Sequence, residues 1–220
     1  MSDRGGRATL TYGSQVQQVQ QVPWWGVASS AAPPVLLVGS WTAAARLQPH
    51  HFDSVRQSVS TLARTGATDR WVMTLALVVA AVCYMVTGLG LRPAASAGRV
   101  ILVTGGFAGL LVAASPVPAL DRFSLAHAVW SAVGFTLLAA WPLGARRHGP
   151  AVPWALRPSV ATVAVGVIAL VLAWFIAELI AGGEQIGLAE RVLGEVQALW
   201  PLLVVLSCRL SRHRNVAKLR

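Results

Sequence analysis

The sequence predicts an all-α, polytopic membrane protein with six transmembrane helices. Of its 220 residues, 55% are hydrophobic and 12% are charged, and the mean hydropathy is +0.60. An average soluble domain has roughly a quarter of its residues charged. Several apolar runs also exceed about 18 residues without a charge, which is longer than a globular core helix usually needs. These observations favour a membrane bundle over a soluble helical bundle.

The predicted spans divide the chain into tails, helices and one long loop. Each span has about the 20 residues that are needed to cross a hydrocarbon core of about 30 Å. The spans are residues 24–47, 71–91, 100–117, 123–143, 160–181 and 188–210, within a membrane domain of residues 23–210 that has an external loop at residues 48–70. We expect a disordered cytoplasmic tail over residues 1–22, which show no signal-peptide pattern, and a basic cytoplasmic tail over residues 211–220.

The distribution of charge predicts the orientation of the bundle. If the N-terminus is cytoplasmic, twelve of the eighteen basic residues lie on the inner side and six on the outer side. The positive-inside rule favours this arrangement, with both termini in the cytoplasm. Seven of the eight acids lie towards the outer end. The predicted localisation is the plasma membrane, where the net charge of +10 attracts anionic lipid and implies no nucleic-acid partner.

The external loop combines five charged residues with a predicted short helix. Ser54 and Gln57 have the spacing of a capping box, with Asp53 as an alternative cap. Three apolar residues on one face predict that this helix folds back onto the bundle and ends near Gly66. These apolar residues are Val55, Val59 and Leu62. The candidate caps of the second span are Thr68 and Asp69.

Two ionisable residues lie within the predicted spans. His127 is about one turn inside the fourth span, and Glu178 is about one turn from the outer end of the fifth. Since these spans run antiparallel and an unpaired ionisable group in a membrane is costly, both residues are expected to point inward to polar partners. Two polar stripes have helical spacing. They are Ser124, His127 and Ser131 on the fourth span, and Glu190, Gly194 and Gln197 on the sixth, where Arg191 and Glu195 have the i, i+4 spacing of a pair.

The external loop and the last span carry recognisable motifs. In the loop they are Phe52-Asp53-Ser54-Val55-Arg56-Gln57-Ser58-Val59-Ser60 and Gly66-Ala67-Thr68-Asp69-Arg70-Trp71-Val72-Met73, and in the last span Gly187-Leu188-Ala189-Glu190-Arg191. Together with His127, these motifs resemble the bacterial DUF998 family, from about Pro23 to Cys208. The resemblance implies a six-helix membrane protein that is distantly similar to the Frag1/DRAM/Sfk1 group, which is linked to membrane-lipid handling. The function of the family is unknown, so the resemblance implies a fold and no mechanism.

Of the functions considered, lipid-headgroup binding requires the least specific arrangement of these side chains. Arginine forks clamp phosphate, and neighbouring carboxylates orient them. We expect an outer-leaflet site that binds membrane lipids without a cofactor or a metal ion, since the adjacent His50 and His51 are a weak metal signal. The candidate site residues are Asp53, Arg56, Ser60, Asp69, Arg70, His127, Glu178, Glu190 and Arg191. One pocket is expected to contain Arg56, Asp69, Arg70, His127, Glu190 and Arg191.

Two other functions remain open from the sequence. A membrane-embedded hydrolase or acyltransferase would use Ser60 as nucleophile, His127 as base, and Glu178 or Asp69 as the orienting carboxylate. A structural protein without a small-molecule site would use the same charges to tie its loops together. A transporter or proton relay ranks lower, because the inner halves of the spans contain few ionisable groups. The sequence contains no HExxH, CxxC, Walker or GxSxG motif.

Overall fold

The predicted fold class and number of spans are confirmed. A computed structural model describes residues 21–119 and 123–217, with the side chains of the last helix described as far as Ser211. All regular secondary structure in these residues is helical, and six of the helices are long and apolar enough to cross a membrane. Residues 1–20 of the predicted N-terminal tail and the last three residues of the predicted C-terminal tail lie outside the described residues.

The described chain contains six long helices and one short one. In order they are α1 (Trp24–Arg46), α2 (Val59–Leu62), α3 (Trp71–Gly90), α4 (Ser96–Ala114), α5 (Leu125–Ala145), α6 (Pro158–Ala181) and α7 (Ile186–Ala217), with a 3-10 turn at Trp154–Leu156. The short helix α2 lies in the predicted external loop. The other six are the candidate membrane spans.

The six long helices pack in a closed ring. α1 packs against α3 and α7, and α4, α5 and α6 complete the circuit between them. Glycine permits the closest approaches, since a Cβ at Gly106 of α4 would lie 2.6 Å from the carbonyl oxygen of Ala81 in α3. Residues 47–70 cross one end of the ring, where the Leu188 N–H at the start of α7 donates to the Val55 carbonyl at 3.0 Å. We call this end the loop end.

The third and the last helix differ most from the predicted spans, and the boundaries of the other four lie within two residues of the prediction. The third span, predicted at residues 100–117, is α4 at Ser96–Ala114. It begins earlier because the guanidinium of Arg99 donates to the Gly88 and Leu89 carbonyls at the end of α3, each at 3.0 Å, and it ends earlier because Pro116 follows. The last helix continues to Ala217, so the predicted basic tail is helical over residues 211–217. Hydrophobicity predicts where a helix leaves the membrane but not where its hydrogen bonding stops.

The predicted helix in the external loop is present but shorter than expected. It begins at Val59 after the N-cap Ser58, whose hydroxyl oxygen accepts a hydrogen bond from the Ser60 N–H. Val59 and Leu62 are buried as predicted, whereas Val55 is 44% exposed. This difference arises because residues 54–57 form a separate turn that precedes α2.

Asp53, the alternative cap, organises this turn. Its Oδ1 accepts hydrogen bonds from the backbone N–H groups of Val55 at 2.9 Å and of Arg56 at 3.2 Å. In return, the Gln57 side-chain oxygen accepts from the Asp53 N–H at 2.9 Å. The two backbone donors, in that order, lower the pKa of Asp53 from its ordinary value of 3.8, because they stabilise the charged carboxylate.

The predicted cap of the second span is not formed by Thr68 or Asp69. The N-cap of α3 is Arg70, and no side chain accepts a hydrogen bond there. Asp69 has a left-handed backbone with φ of 48°, and its carboxylate accepts from the Trp71 indole N–H at 3.1 Å. The turn therefore directs this carboxylate to an aromatic side chain instead of to the free N–H groups of the helix.

Candidate functional site

Glu190 attaches the external loop to the bundle from the second turn of α7. Its Oε2 accepts a hydrogen bond from the Val59 N–H at 2.7 Å, and its Oε1 accepts one from the Ser60 hydroxyl at 3.0 Å. The first N–H groups of a helix have no partner within the helix, so the carboxylate satisfies a donor that would otherwise be unpaired. Because Glu190 is only 8% exposed, α2 is held over the ring by a buried carboxylate.

Ser60 also contacts His127, in the first turn of α5. The Ser60 Oγ lies 3.3 Å from His127 Nε2, and His127 Nδ1 lies 2.9 Å from the carbonyl oxygen of Ser115, just after α4. The Ser124 hydroxyl oxygen accepts from the His127 N–H at 3.3 Å, which caps α5. The side chains of His127, Ser60 and Glu190 thus form a continuous hydrogen-bonded chain, which we call the Ser60 bridge.

The order of groups in the Ser60 bridge differs from that of a hydrolytic triad. In such a triad the carboxylate orients the histidine, and the histidine contacts the serine. Here the Glu190 carboxylate contacts Ser60, and the Ser115 carbonyl orients His127. Neither Glu178 nor Asp69, the two predicted orienting carboxylates, makes a hydrogen bond to His127 within the described chain.

A cavity of about 130 Å³ adjoins the Ser60 bridge inside the ring of helices. Ser60 and Glu190 lie in its wall, together with Ser131 and Gln197 of the two predicted polar stripes. The cavity is smaller than a typical ligand pocket, which has about 300–1,000 Å³. A polar cavity needs roughly 10–15 Å³ to hold one water molecule. The cavity is therefore too small for a lipid, and because most of its wall is apolar, only the part beside these polar residues suits water.

Arg191 follows Glu190 on α7 and contacts the external loop. Its Nη1 donates to three backbone carbonyl oxygens at 2.7, 3.0 and 2.8 Å. They belong to Ser54, Gln57 and Gly187. The guanidinium carbon also lies 5.9 Å from the ring centroid of Trp41 and 5.8 Å from that of Phe52. Arg191 therefore holds the loop against both α1 and α7.

Part of the Arg191 guanidinium has no hydrogen-bond partner. Its Nε and Nη2 are buried and unpartnered among the described residues, and the residue is 8% exposed. The predicted pair with Glu195 is not formed, since a Glu195 carboxylate oxygen is itself buried without a partner in the described chain. Arg191 is thus a buried cation that contacts carbonyl dipoles and aromatic faces. It forms no ion pair within the described chain, although the charge of the neighbouring Glu190 also stabilises it.

A groove of about 510 Å³ lies beside Arg191, between the last turn of α1 and the external loop. Two arginines and two histidines line it, and no acidic residue of the described chain does. We call it the basic groove and define it by Trp41, Arg46, Gln48, His50, His51, Phe52 and Arg191. The groove and the Ser60 bridge are therefore built from neighbouring residues of α7 but from different parts of the loop.

The other predicted site residues lie outside the groove, the bridge and the cavity. Arg56 is exposed and pairs with Glu184 at 3.1 Å and with Asp53 at 3.8 Å. Arg70 donates to the Thr65 hydroxyl at 3.5 Å. Glu178 accepts from the Gln185 N–H at 2.9 Å and closes the turn between α6 and α7. The single pocket expected from Arg56, Asp69, Arg70, His127, Glu190 and Arg191 is therefore divided between separate places.

Sequence reasoning missed the part that the end of α1 plays in this region. Arg46, His50 and His51 lie within six positions where the first predicted span meets the external loop. This local cluster is the signal that the sequence contains, whereas the metal hypothesis uses only its two histidines. The described residues contain no group of three or more His, Cys, Asp or Glu side chains that could hold a metal ion.

Comparison with known proteins identifies a family but no close relative. No curated protein and no solved structure matches the chain. A family model, described as "Protein of unknown function (DUF998)", matches residues 30–207. The match spans all six long helices in whole or in large part, and it includes the basic groove and the Ser60 bridge. The protein therefore belongs to the DUF998 family.

Proposed function

We propose that this multi-pass membrane protein binds the anionic headgroup of a lipid in the basic groove. The observation that carries the proposal is Arg191, a buried cation in the wall of a groove that has no acid among the described residues. Two guanidinium nitrogens of Arg191 are buried without a hydrogen-bond partner among the described residues, and the neighbouring Glu190 stabilises the cation only through its charge, so an additional anion in the groove is favoured. Arg46, His50 and His51 are exposed and can contact that anion directly. Arg191 adds a fixed positive charge from within the wall.

The position and size of the groove suit a lipid headgroup. The groove lies at the end of α1, where a membrane span meets the interface, and Trp41 and Phe52 are aromatic residues of the kind that favour this depth. Its volume of about 510 Å³ falls within the range of ligand pockets. A lipid can reach such a site laterally from the bilayer.

The source of the headgroup follows from the orientation of the bundle. With both termini in the cytoplasm of a plasma-membrane protein, as the basic residues predict, the groove faces the outer leaflet. A membrane-impermeant thiol reagent should then modify Ser54→Cys in intact cells. Modification only after lysis would place the groove on the inner side and make the inner leaflet the source.

Binding can be tested with purified protein in nanodiscs that contain a minor fraction of phosphatidylglycerol in phosphatidylcholine. Arg46→Gln should weaken binding about fivefold, because one basic residue near a membrane surface contributes about 1 kcal/mol. The matched control is Arg70→Gln, which removes the same charge from the loop end but outside the groove. Equal losses in both variants would contradict a site in the groove. The absence of binding in the unmodified protein would favour the structural alternative.

Acyl transfer at Ser60 is the second candidate function. It is favoured by the distance of 3.3 Å between the Ser60 hydroxyl and His127 Nε2, which is close to the reach of a general base. It is opposed by the Val59 and Ser60 N–H groups, because these potential oxyanion donors already bind Glu190 and Ser58. A fluorophosphonate probe that labels the unmodified protein but not Ser60→Ala would support this function, and a lack of labelling in both would reject it.

A further inference from the structure

We propose that the Ser60 bridge binds one exchangeable proton, which is shared between His127 Nε2 and Glu190 Oε1 through the Ser60 hydroxyl. The proposal does not depend on lipid binding, since none of the three residues lines the basic groove. It follows from counting hydrogen-bond donors and acceptors along the bridge.

Both ends of the bridge are fixed by backbone groups that have a single role. The Ser115 carbonyl can only accept, so His127 Nδ1 carries a hydrogen. The Val59 N–H can only donate, so Glu190 Oε2 is an acceptor and a carboxyl proton, when present, lies on Oε1. The remaining freedom is confined to the two contacts of the Ser60 hydroxyl, at 3.3 Å from Nε2 and 3.0 Å from Oε1.

One proton satisfies both contacts of Ser60. When it lies on His127, Nε2–H donates to the serine oxygen and the serine O–H donates to the Glu190 carboxylate. When it lies on Glu190, Oε1–H donates to the serine oxygen and the serine O–H donates to neutral Nε2. In passing from the first state to the second, the Nε2–H bond and one serine O–H bond break while a new serine O–H bond and an Oε1–H bond form. The net charge of the three side chains remains zero.

Any other number of protons leaves a group of the bridge unsatisfied. Without the proton, Ser60 can donate to one neighbour only, and in the other contact two acceptor atoms face each other. With a second proton, both neighbours donate to Ser60, and the serine hydrogen has no acceptor within the bridge. Both states also give the three side chains a net charge, which is costly in a largely buried site. The bridge therefore favours a single proton.

The surrounding elements add few charges that could override this preference. On α7 they are Arg191, which contacts the loop carbonyls, and Glu195, which lies one turn further along. The phenol of Tyr84 on α3 lines the same cavity, and Arg64 follows α2. Three other charges of the described residues lie elsewhere in the fold: Arg46 in the groove, Arg99 at the end of α4 opposite the loop end, and Glu178 at the turn after α6. Of these groups, Arg191 interacts directly with the bridge, because its charge and that of Glu190 stabilise each other.

The adjoining cavity places the bridge beside a small internal space of about 130 Å³. Ser60 and Glu190 line it together with Tyr84, Ser131 and Gln197, but most of its wall is apolar. Ionisable groups inside membrane helices commonly serve proton or ion pathways. A water molecule that exchanges a proton with the bridge must therefore occupy the part of the cavity beside these polar residues, because buried water needs polar partners.

The test is to follow the protonation of His127 by nitrogen NMR of histidine-labelled protein in nanodiscs, with the signal assigned by its loss in His127→Gln. In Glu190→Gln, the amide oxygen can accept from Val59 and the amide N–H can donate to Ser60, so the Ser60 hydroxyl donates to His127. We expect this variant to hold His127 as the neutral Nδ1–H form at pH values where the unmodified protein exchanges its proton. In Ser60→Ala the pH dependence of the His127 signal should differ from that of the unmodified protein, because the hydroxyl that couples His127 to Glu190 is removed.

Two controls separate coupling from general disturbance. Ser60→Thr keeps the hydroxyl and should titrate like the unmodified protein, as should Ser131→Ala, which removes a different hydroxyl from the cavity. The same His127 titration in the unmodified protein, Ser60→Ala and Glu190→Gln would overturn the proposal. If Ser60→Ala does not fold, as judged by circular dichroism, Glu190→Gln decides the question, because it preserves every hydrogen bond of the bridge. Neither result bears on lipid binding in the groove.

Discussion

Glu190 and Arg191 are adjacent on α7, yet their buried charges are stabilised in different ways. The Glu190 carboxylate is joined through Ser60 to His127, whose ring nitrogens can also carry a proton. The Arg191 guanidinium is held by three backbone carbonyls and two aromatic rings, none of which can titrate. Glu190 thus belongs to the bridge for which we propose proton sharing, and Arg191 belongs to the groove for which we propose anion binding.

The geometry of a helix explains this separation. Neighbouring residues on a helix are rotated by roughly 100° about its axis. Glu190 consequently meets α2 and the cavity, whereas Arg191 meets the end of α1 and the turn that precedes α2. Two charges that are next to each other in the sequence therefore need not share a pocket.

The largest expected effect is the loss of stability in Arg191→Gln. Three carbonyls lose a charged donor, and the free energy of unfolding should fall by about 3 kcal/mol. Arg191→Lys should recover part of this loss, because it keeps the charge but not the planar fork. Thermal unfolding in nanodiscs measures both variants. Unchanged stability in Arg191→Gln would mean that this cation does not hold the loop.

The next largest effect on stability is expected when the Glu190 carboxylate is removed. Glu190→Ala removes the acceptor of the Val59 N–H and the Ser60 hydroxyl, which should cost about 2 kcal/mol and speed amide exchange at α2. Glu190→Gln should cost less, because an amide can still accept from the first group and donate to the second. Hydrogen exchange at Val59 and Ser60 reports the local change. Equal losses in the two variants would show that the negative charge itself, and not the hydrogen-bond pattern, holds α2.

A smaller, pH-dependent effect is expected in the turn at Asp53. The pKa of this carboxyl is lowered in the folded chain, so its stabilisation is present above the unfolded value of 3.8 and is lost as the pH falls through the lower folded value. Amide protection at Val55 and Arg56, corrected for intrinsic exchange, should decrease over that range. In Asp53→Asn, protection should be weaker and independent of pH. A pH dependence that persists in Asp53→Asn would assign the effect to another group.

The smallest effect is expected for Arg56→Gln. Its ion pairs with Glu184 and Asp53 are exposed, and such pairs contribute about 0–1 kcal/mol. Stability and lipid binding should therefore be close to those of the unmodified protein. A loss of lipid binding comparable to that of Arg46→Gln would place the site beside Arg56, as the sequence analysis expects, and outside the basic groove.

The sequence predicted those features that depend on composition and local spacing. Long apolar runs identified all six spans, and the facing of Val59 and Leu62 indicated the helix in the loop. The earlier start of α4 was not predictable, because it depends on Arg99 reaching the end of a different helix. Local patterns do not contain that information.

The candidate site was predictable in residue type but not in pairing. Ser60 and His127 were expected to act together and lie in contact, but the carboxylate beside them is Glu190 instead of Glu178 or Asp69. Glu178 is expected from the sequence because it lies at about the same depth in the membrane as His127. However, Gly182 ends α6 in a left-handed conformation, and the Glu178 carboxylate accepts a hydrogen bond from the Gln185 N–H instead. Which polar groups meet is decided by how α2 lies across the ring, and that requires the tertiary structure.

The most direct test of lipid-headgroup binding is an experimental density map of the protein in nanodiscs that contain an anionic phospholipid. We expect headgroup density in the basic groove, with a phosphate oxygen within about 3.2 Å of Arg46, His50 or His51. That density should be absent from the Arg46→Gln, His50→Gln, His51→Gln triple variant. An empty groove at saturating anionic lipid, or a headgroup bound beside Arg56 and Arg70 instead, would contradict the account.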